Sequence, residues 1–259
     1  MQIIRFTHKG DPPAYGWINN DRVGLLSNPP VGAYRRLEPS IPLSEVRLLA
    51  PVEPSKIIAV GRNYPEHAKE HDAEIPDMPL IFLKPTSSII DPEEPILLPP
   101  QSGQVEHEGE LAVVIGRPGR WISLDQVKNY ILGYTIANDI TARDLQRRDN
   151  QWTRAKGFDT FCPIGPWIET DIDPADVFVT CRVNNELRQM ASTREMVFTV
   201  AQLIVFISSV MTLNPMDIIL TGTPAGVGLL SDGDLVEVEV EGIGILRNPV
   251  KNDNRLSGM

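Results

Sequence analysis

From Gln2 to Leu25 the apolar positions come in short bursts: Gln2 to Phe6, Ala14 to Ile18, and Arg22 to Leu25 after Asn19-Asn20-Asp21. Bursts of this length joined through an Asn/Asp turn predict a β-hairpin. The proline-bearing stretch from Pro29 to Pro51 reads as a connector, so residues 1–50 are expected to form a small β appendage ahead of a main domain at 51–259. Beyond Lys56 the strand pattern returns at Ile57–Val60, Leu80–Leu83, Ile96–Leu98, Glu108–Ile115, Ile131–Asn138, Val177–Val183 and Asp217–Leu220. Two helices have recognisable starts, because Ser123 with Gln126 and Thr199 with Gln202 match the S/T-x-x-Q capping box. The second leads into Val200, Leu203, Ile204, Ile207, Val210 and Met211, an apolar face at helical spacing. Near the end, Val236, Val238 and Val240 alternate with Glu237 and Glu239, as in a strand with one face in water. Strands outnumber helices without alternating regularly with them. The expected class is therefore mainly β with short helices (α+β), and not a doubly wound sheet.

Composition and charge narrow the partners. A chain of 259 residues can bury a substantial core without staples. The net charge of −10 argues against nucleic acid and anionic membrane, because either would repel the bulk surface. Val200 to Leu213, the most apolar helical stretch, contains Gln202, Ser208 and Ser209 and is too short to cross a bilayer. Met1 to Lys9 lacks a long apolar run of the signal-peptide kind, so the expected location is cytoplasmic. Cys162 and Cys181 are far apart in apolar surroundings and are expected to be reduced core residues.

The most informative segment is Glu106-His107-Glu108-Gly109-Glu110-Leu111-Ala112-Val113-Val114-Ile115. Residues two apart share a strand face, so Glu108 and Glu110 point the same way. Two carboxylates side by side against an apolar sheet repel unless a positive group lies between them. A hard divalent cation such as Mg²⁺, Mn²⁺ or Ca²⁺ suits carboxylate oxygens. A third acid, Asp139, ends the apolar strand Ile131–Asn138. The competing reading is a strand start at the solvent edge, with both glutamates paired to Arg or Lys.

In Tyr64-Pro65-Glu66-His67-Ala68-Lys69-Glu70-His71, Pro65 suits the first position of a helix, and Pro76 limits its length. A short helix puts His67 and Glu70 on one face, where the carboxylate would fix the imidazole tautomer and raise its basicity. A solvated charged turn accounts for Glu66, Lys69, Asp72 and Glu74 equally well. The same residues satisfy H-x-x-E-H, a zinc-peptidase pattern, but the helix and the chain are both short for that class, leaving His71 a surface residue. The loop Thr221-Gly222-Thr223-Pro224-Ala225-Gly226 lacks the phosphate-loop arrangement, and Pro224 removes an amide donor.

Five blocks, in order, resemble the fumarylacetoacetate hydrolase family: Val60-Gly61-Arg62-Asn63-Tyr64, His107-Glu108-Gly109-Glu110-Leu111, Asn138-Asp139-Ile140-Thr141-Ala142-Arg143-Asp144-Leu145-Gln146, Ala155-Lys156-Gly157-Phe158-Asp159, and Thr221 to Gly226. The resemblance runs from about Lys56 to Val250. It implies a mixed β roll with a metal at its open mouth, in a homodimer, and small 2-oxo acids as substrates. It places the metal on Glu108, Glu110 and Asp139 and a lysine beside it at Lys156. It makes His67 and Glu70 the water-activating pair on a short lid. Arg143 and Gln146 become the substrate-orienting pair, although Arg143 could equally serve only as an ion-pair partner, and Thr223 meets the substrate carboxylate. The implied reaction is hydrolytic cleavage of a C–C bond in a 2,4-dioxo acid through a metal-stabilised enolate. Isomerisation of hydroxymuconate-type dienes, decarboxylation of oxaloacetate-like acids and an inactive metal-binding module are the alternatives.

Overall fold

The structure is a computed structural model that describes residues 1–254. Its centre is the strand Gly109–Ile115, every residue of which is buried. It runs antiparallel to Ile131–Asn138 on one side and to Ile218–Leu220 on the other. A strand covered on both faces needs an apolar run, which Leu111 to Ile115 supplies. Ile57–Gly61 then pairs parallel with Ile218–Leu220, and Leu80–Lys84 closes that side. In the other direction come Cys162–Glu169 and the N-terminal strands, giving a mixed twelve-stranded sheet.

Gln2–His8 joins this sheet directly, pairing through its first residues with Cys162–Glu169 and through its last with Val46–Leu49. The hairpin of Ala14–Asn19 and Arg22–Leu25 forms as expected. The stretch from Pro29 to Pro51 is more than a connector, since it contributes the strands Ile41–Pro42 and Val46–Leu49.

A second sheet of five strands has the order Glu186–Ser192, Phe178–Val183, Leu235–Val240, Gly244–Asn252, Ile96–Leu98. Val179, Cys181, Val236, Val238 and Val240 of this sheet share a core with Leu111, Val113, Ile115 and Ile136 of the first. Glu237 and Glu239 face outward and pair with Arg247 and Arg182. The two sheets approach so closely at Gly109 that a Cβ there would lie 2.9 Å from Val238 Cγ1, so only hydrogen fits.

Among the described residues there are four short α-helices: α1 (Pro65–Glu70), α2 (Arg143–Arg148), α3 (Thr153–Lys156) and α4 (Val200–Val210). The Thr199 capping box forms in full. Thr199 Oγ1 accepts the Gln202 N–H at 3.3 Å and Gln202 Oε1 accepts the Thr199 N–H at 2.9 Å. Leu203, Ile204 and Ile207 fall on the buried face, while Val210 reaches the surface. The Ser123 box does not form: Leu124–Asn129 is a 3₁₀ helix whose start has no side-chain cap. No helix among the described residues is long and apolar enough to cross a membrane.

Candidate active site

The expected strand from Glu108 to Ile115 is interrupted at its first residue. Val105–His107 and Gly109–Ile115 are separate strands, and the first belongs to a small sheet with Thr141–Ala142 and Gly228–Leu229. At the break, Asn138 Oδ1 accepts the Glu108 N–H at 2.9 Å, and Asp139 N–H donates to Glu108 O at 2.8 Å. The register pairs Gly109 with Asn138, which sets Asp139 beside Glu108. The carboxylates of Glu108, Glu110 and Asp139 are all buried, with ligand oxygens within 4.8 Å of one another.

Buried like charges this close require cations. Lys156 Nζ lies 2.8 Å from Glu108 Oε2 and 2.7 Å from Asp139 Oδ2. Lys84 Nζ lies 2.6 Å from Asp139 Oδ1 and also donates to Lys156 O at 2.5 Å. Arg143 bridges Glu108 Oε1 at 2.6 Å and Glu106 Oε2 at 2.8 Å, and Thr141 Oγ1 donates to Glu108 Oε1 at 3.0 Å. Burial alone would raise the Glu108 carboxyl, but Lys156 and Arg143 outweigh it and hold it well below the usual carboxylate range. Burial would likewise lower the Lys156 ammonium, yet Asp139 and Glu108 keep it above its ordinary value.

Glu110 is treated differently. Its carboxylate accepts the Gly222 N–H at 2.6 Å, and among the described residues no lysine or arginine lies within 4.0 Å of it. Burial, followed by Asp139 and Glu108, pushes it well above the usual range. A divalent cation among the three carboxylates would remove that frustration. With Glu110 ionised, Glu106, Glu108, Glu110 and Asp139 against Lys84, Arg143 and Lys156 leave one negative charge uncompensated, a state that a bound cation would favour. All three candidate ligands offer oxygen only, so the set fits a hard ion such as Mg²⁺ or Mn²⁺.

Above the carboxylates a cavity of about 460 Å³ is lined by His67, Glu70, Glu108, Asp139, Lys156 and Thr223, among others. Pro65 occupies the first turn of α1, as expected, and the helix presents His67 and Glu70 on one face. His67 is buried, and its Nδ1 lies 3.3 Å from Glu70 Oε2. Glu70 is held from the far side by the Gly226 N–H, 3.1 Å from Oε1. This contact ties the helix to the glycine-rich loop, where Gly222 and Gly226 take the positive φ angles that glycine allows.

The structure thus places His67, Glu70, Glu108, Asp139, Arg143, Gln146, Lys156 and Thr223 on one cavity, with Glu110 reaching it only through the carboxylate cluster. Arg143 is engaged by Glu106 and Glu108 and donates to Gln146 Oε1 at 2.7 Å, so its ion pairs hold a side chain that also lines the cavity. Thr223 Oγ1 donates its proton to Gly109 O at 2.9 Å and accepts from Gln189 Nε2 at 2.7 Å. Lys84, Glu106 and Gln189 had no distinguishing mark in the sequence. Gln189 is wholly buried, and its Oε1 accepts the Gly109 N–H at 3.0 Å while its Nε2 also donates to Pro224 O. One carboxamide therefore joins the Glu108–Glu110 segment to the glycine-rich loop.

Comparison with known proteins agrees with this geometry. Residues 56–251 match the family described as Fumarylacetoacetate (FAA) hydrolase C-terminal, and residues 1–51 match Rv2993c-like, N-terminal. The mitochondrial oxaloacetate tautomerase Fahd2a of Rattus norvegicus is 46% identical over 224 residues, 82% of this chain and 72% of that protein. The crystal structure of 5-carboxymethyl-2-hydroxymuconate delta-isomerase from Mycobacterium smegmatis superposes with a TM-score of 0.92 at 47% identity, covering 98% of this chain and 100% of that one. Maleylpyruvate hydrolase from Sphingobium sp. SYK-6, solved with manganese (II) ion and pyruvate, gives a TM-score of 0.79 at 32% identity, covering 97% and 99%. In sequence along its main domain and in fold over nearly its whole length, the chain belongs to the fumarylacetoacetate hydrolase family.

Proposed function

We propose that this protein is a divalent-metal-dependent enzyme that interconverts the enol and keto forms of a small dicarboxylic 2-oxo acid. One observation carries the reading: the His67–Glu70 pair and the carboxylates of Glu108 and Asp139 face the same cavity, an acid–base group above a cation site. Glu108, Glu110 and Asp139 would hold Mg²⁺ or Mn²⁺, which when bound would act as a Lewis acid towards the 2-oxo acid. Glu70 fixes a proton on His67 Nδ1, leaving the Nε2 lone pair to take a proton from the substrate and return it. The Lys156 ammonium stands where negative charge collects as the carbon is deprotonated. Arg62 and Arg147 also line the cavity and suit a second carboxylate. Relatives at 46% and 47% identity named as a tautomerase and an isomerase support proton transfer as the main chemistry.

Hydrolysis of a C–C bond in acylpyruvates is the second reading, favoured by the size of the cavity. A volume of about 460 Å³ exceeds what a four-carbon acid fills and leaves room for an acyl group and a water. His67 would then activate that water instead of the substrate carbon. The test follows the loss of oxaloacetate enol, the cleavage of acylpyruvates and the release of CO₂ in one preparation, stripped with EDTA and then restored. We expect enol loss to be fastest, to vanish on stripping and to return with Mg²⁺ or Mn²⁺. Acylpyruvate cleavage outpacing enol loss would establish the hydrolase instead, and full activity in the stripped protein would refute the metal requirement.

A further inference from the structure

His71 takes part in none of the chemistry above, yet it completes a second cluster of potential ligands. It closes α1 as the residue after the last helical one, at φ −107° and ψ 16°, with its N–H donating to Ala68 O at 3.2 Å. One helical turn therefore separates it from His67, the i, i+4 spacing that lets two imidazoles share a cation. The two rings meet edge to face with centroids 4.8 Å apart. Glu70 stands on the same side, and ligand atoms of His67, Glu70 and His71 all lie within 4.8 Å of one another. The 3.3 Å between His67 Nδ1 and Glu70 Oε2 equals the edge of a tetrahedron whose ligands sit about 2.0–2.1 Å from its centre.

The chemistry of this cluster differs from that of the buried carboxylates. Two imidazoles and a carboxylate are a borderline donor set that favours Zn²⁺, whereas three carboxylates favour Mg²⁺ or Mn²⁺. Glu70 is already oriented, because the Gly226 N–H lies 3.1 Å from Oε1 and 3.3 Å from Oε2, and Oε2 is also the oxygen 3.3 Å from His67 Nδ1. Little rearrangement is then needed to close three ligands on one ion, with a fourth position left for water.

We propose that His67, Glu70 and His71 form an inhibitory zinc site, separate from the activating cation at Glu108, Glu110 and Asp139. The inhibition rests on the reading of His67 and Glu70 as the acid–base pair. With Nδ1 given to zinc, the imidazole proton resides on Nε2, and no lone pair remains to accept one from the substrate. Glu70, bound to the same ion, no longer supports the ring. Zinc would thus stop turnover without displacing Mg²⁺.

The experiment titrates Zn²⁺ into the full-length protein at saturating Mg²⁺, by calorimetry and by enol-loss rate, for wild type and His71→Ala. His71 is exposed at the end of a short helix, so its replacement should leave folding unchanged, and because its ring packs on His67 the inhibition is read against each protein's own zinc-free rate. We expect one zinc per wild-type chain with matching loss of rate. In His71→Ala the zinc dissociation constant should rise more than about tenfold, since even residues supporting a ligand contribute 10–100-fold, and the inhibition should weaken equally. Zinc that binds and inhibits both proteins alike would overturn the proposal and put the ion among the carboxylates. Zinc that binds through His71 without slowing turnover would overturn the inhibitory role. His71-dependent binding in a protein with no activity on any 2-oxo acid would uphold the site and refute instead the catalytic reading of His67 and Glu70.

Discussion

The two halves of the cavity are built on opposite principles. Below, Glu108, Glu110 and Asp139 hang from the ends of central strands, with Lys84, Lys156 and Arg143 packed among them and all of them buried. Above, His67 and Glu70 stand on a six-residue helix, held to the rest of the site through Gly226, with Glu70 still a third exposed. The lower half combines structure with function, because Glu108 and Asp139 are each balanced by neighbouring cations and Glu110 alone is left without one. The upper half has few such obligations. Mutations below should therefore damage folding, whereas mutations above should damage chemistry alone.

The sharpest way to break this contrast is His67→Ala. Loss of a positioned general base should lower kcat by roughly 10²–10⁴-fold. Affinity for Mg²⁺, read by calorimetry, should not change, and the urea midpoint should scarcely move. A large loss of stability would show that the upper half is structural after all.

Lys84→Met addresses the lower half. It removes the cation 2.6 Å from Asp139 Oδ1 and leaves that carboxylate buried beside one lysine instead of two. Breaking a buried pair in this way costs about 3–5 kcal/mol. Urea unfolding of the metal-free protein measures it, and Mg²⁺ should recover part of the loss by supplying positive charge at the same place. A variant as stable as wild type would mean that Lys156 alone balances the cluster.

A smaller effect sharpens the contrast away from the site. Thr199→Ala removes the hydroxyl that accepts the Gln202 N–H in a formed capping box, leaves the backbone N–H that Gln202 Oε1 accepts, and should cost about 1 kcal/mol. Ser123→Ala touches no formed cap and should fall within about 0.5 kcal/mol of wild type. Equal effects in thermal unfolding would show that the two helix starts do not differ in solution.

The same pair shows how far a sequence can be read. Both starts fit one motif, but only the Thr199 box closes; Ser192 and Glu195 close the same box on the 3₁₀ turn Thr193–Glu195, so winding does not decide it and the motif does not encode it. Glu108, Glu110 and Asp139 were legible because acids do not ordinarily interrupt or terminate an apolar strand. Lys84 was not, because its strand inverts the usual pattern: Leu83 is 49% exposed while Lys84 is 2% exposed. Gln189 was hidden for a related reason. It lies between exposed Arg188 and Met190 in a strand of mixed polarity, and only the neighbouring loop and the break at Glu108 give its carboxamide a task. The His67–Glu70 pair was legible as a motif, whereas its tie to Gly226 joins residues 156 apart in the chain.

Gly109 carries a consequence for anyone reading activity from mutant libraries. The residue between the two glutamates has no functional group, but any side chain there would meet Val238 across the gap between the sheets. Substitutions at 109 would wedge the layers apart and shift both neighbouring carboxylates at once. A saturation scan scored on turnover would rank this silent position with the ligands themselves. Scored on abundance, it would rank with the core. Gly109 is where the two kinds of score should coincide, whereas at His67 they should part.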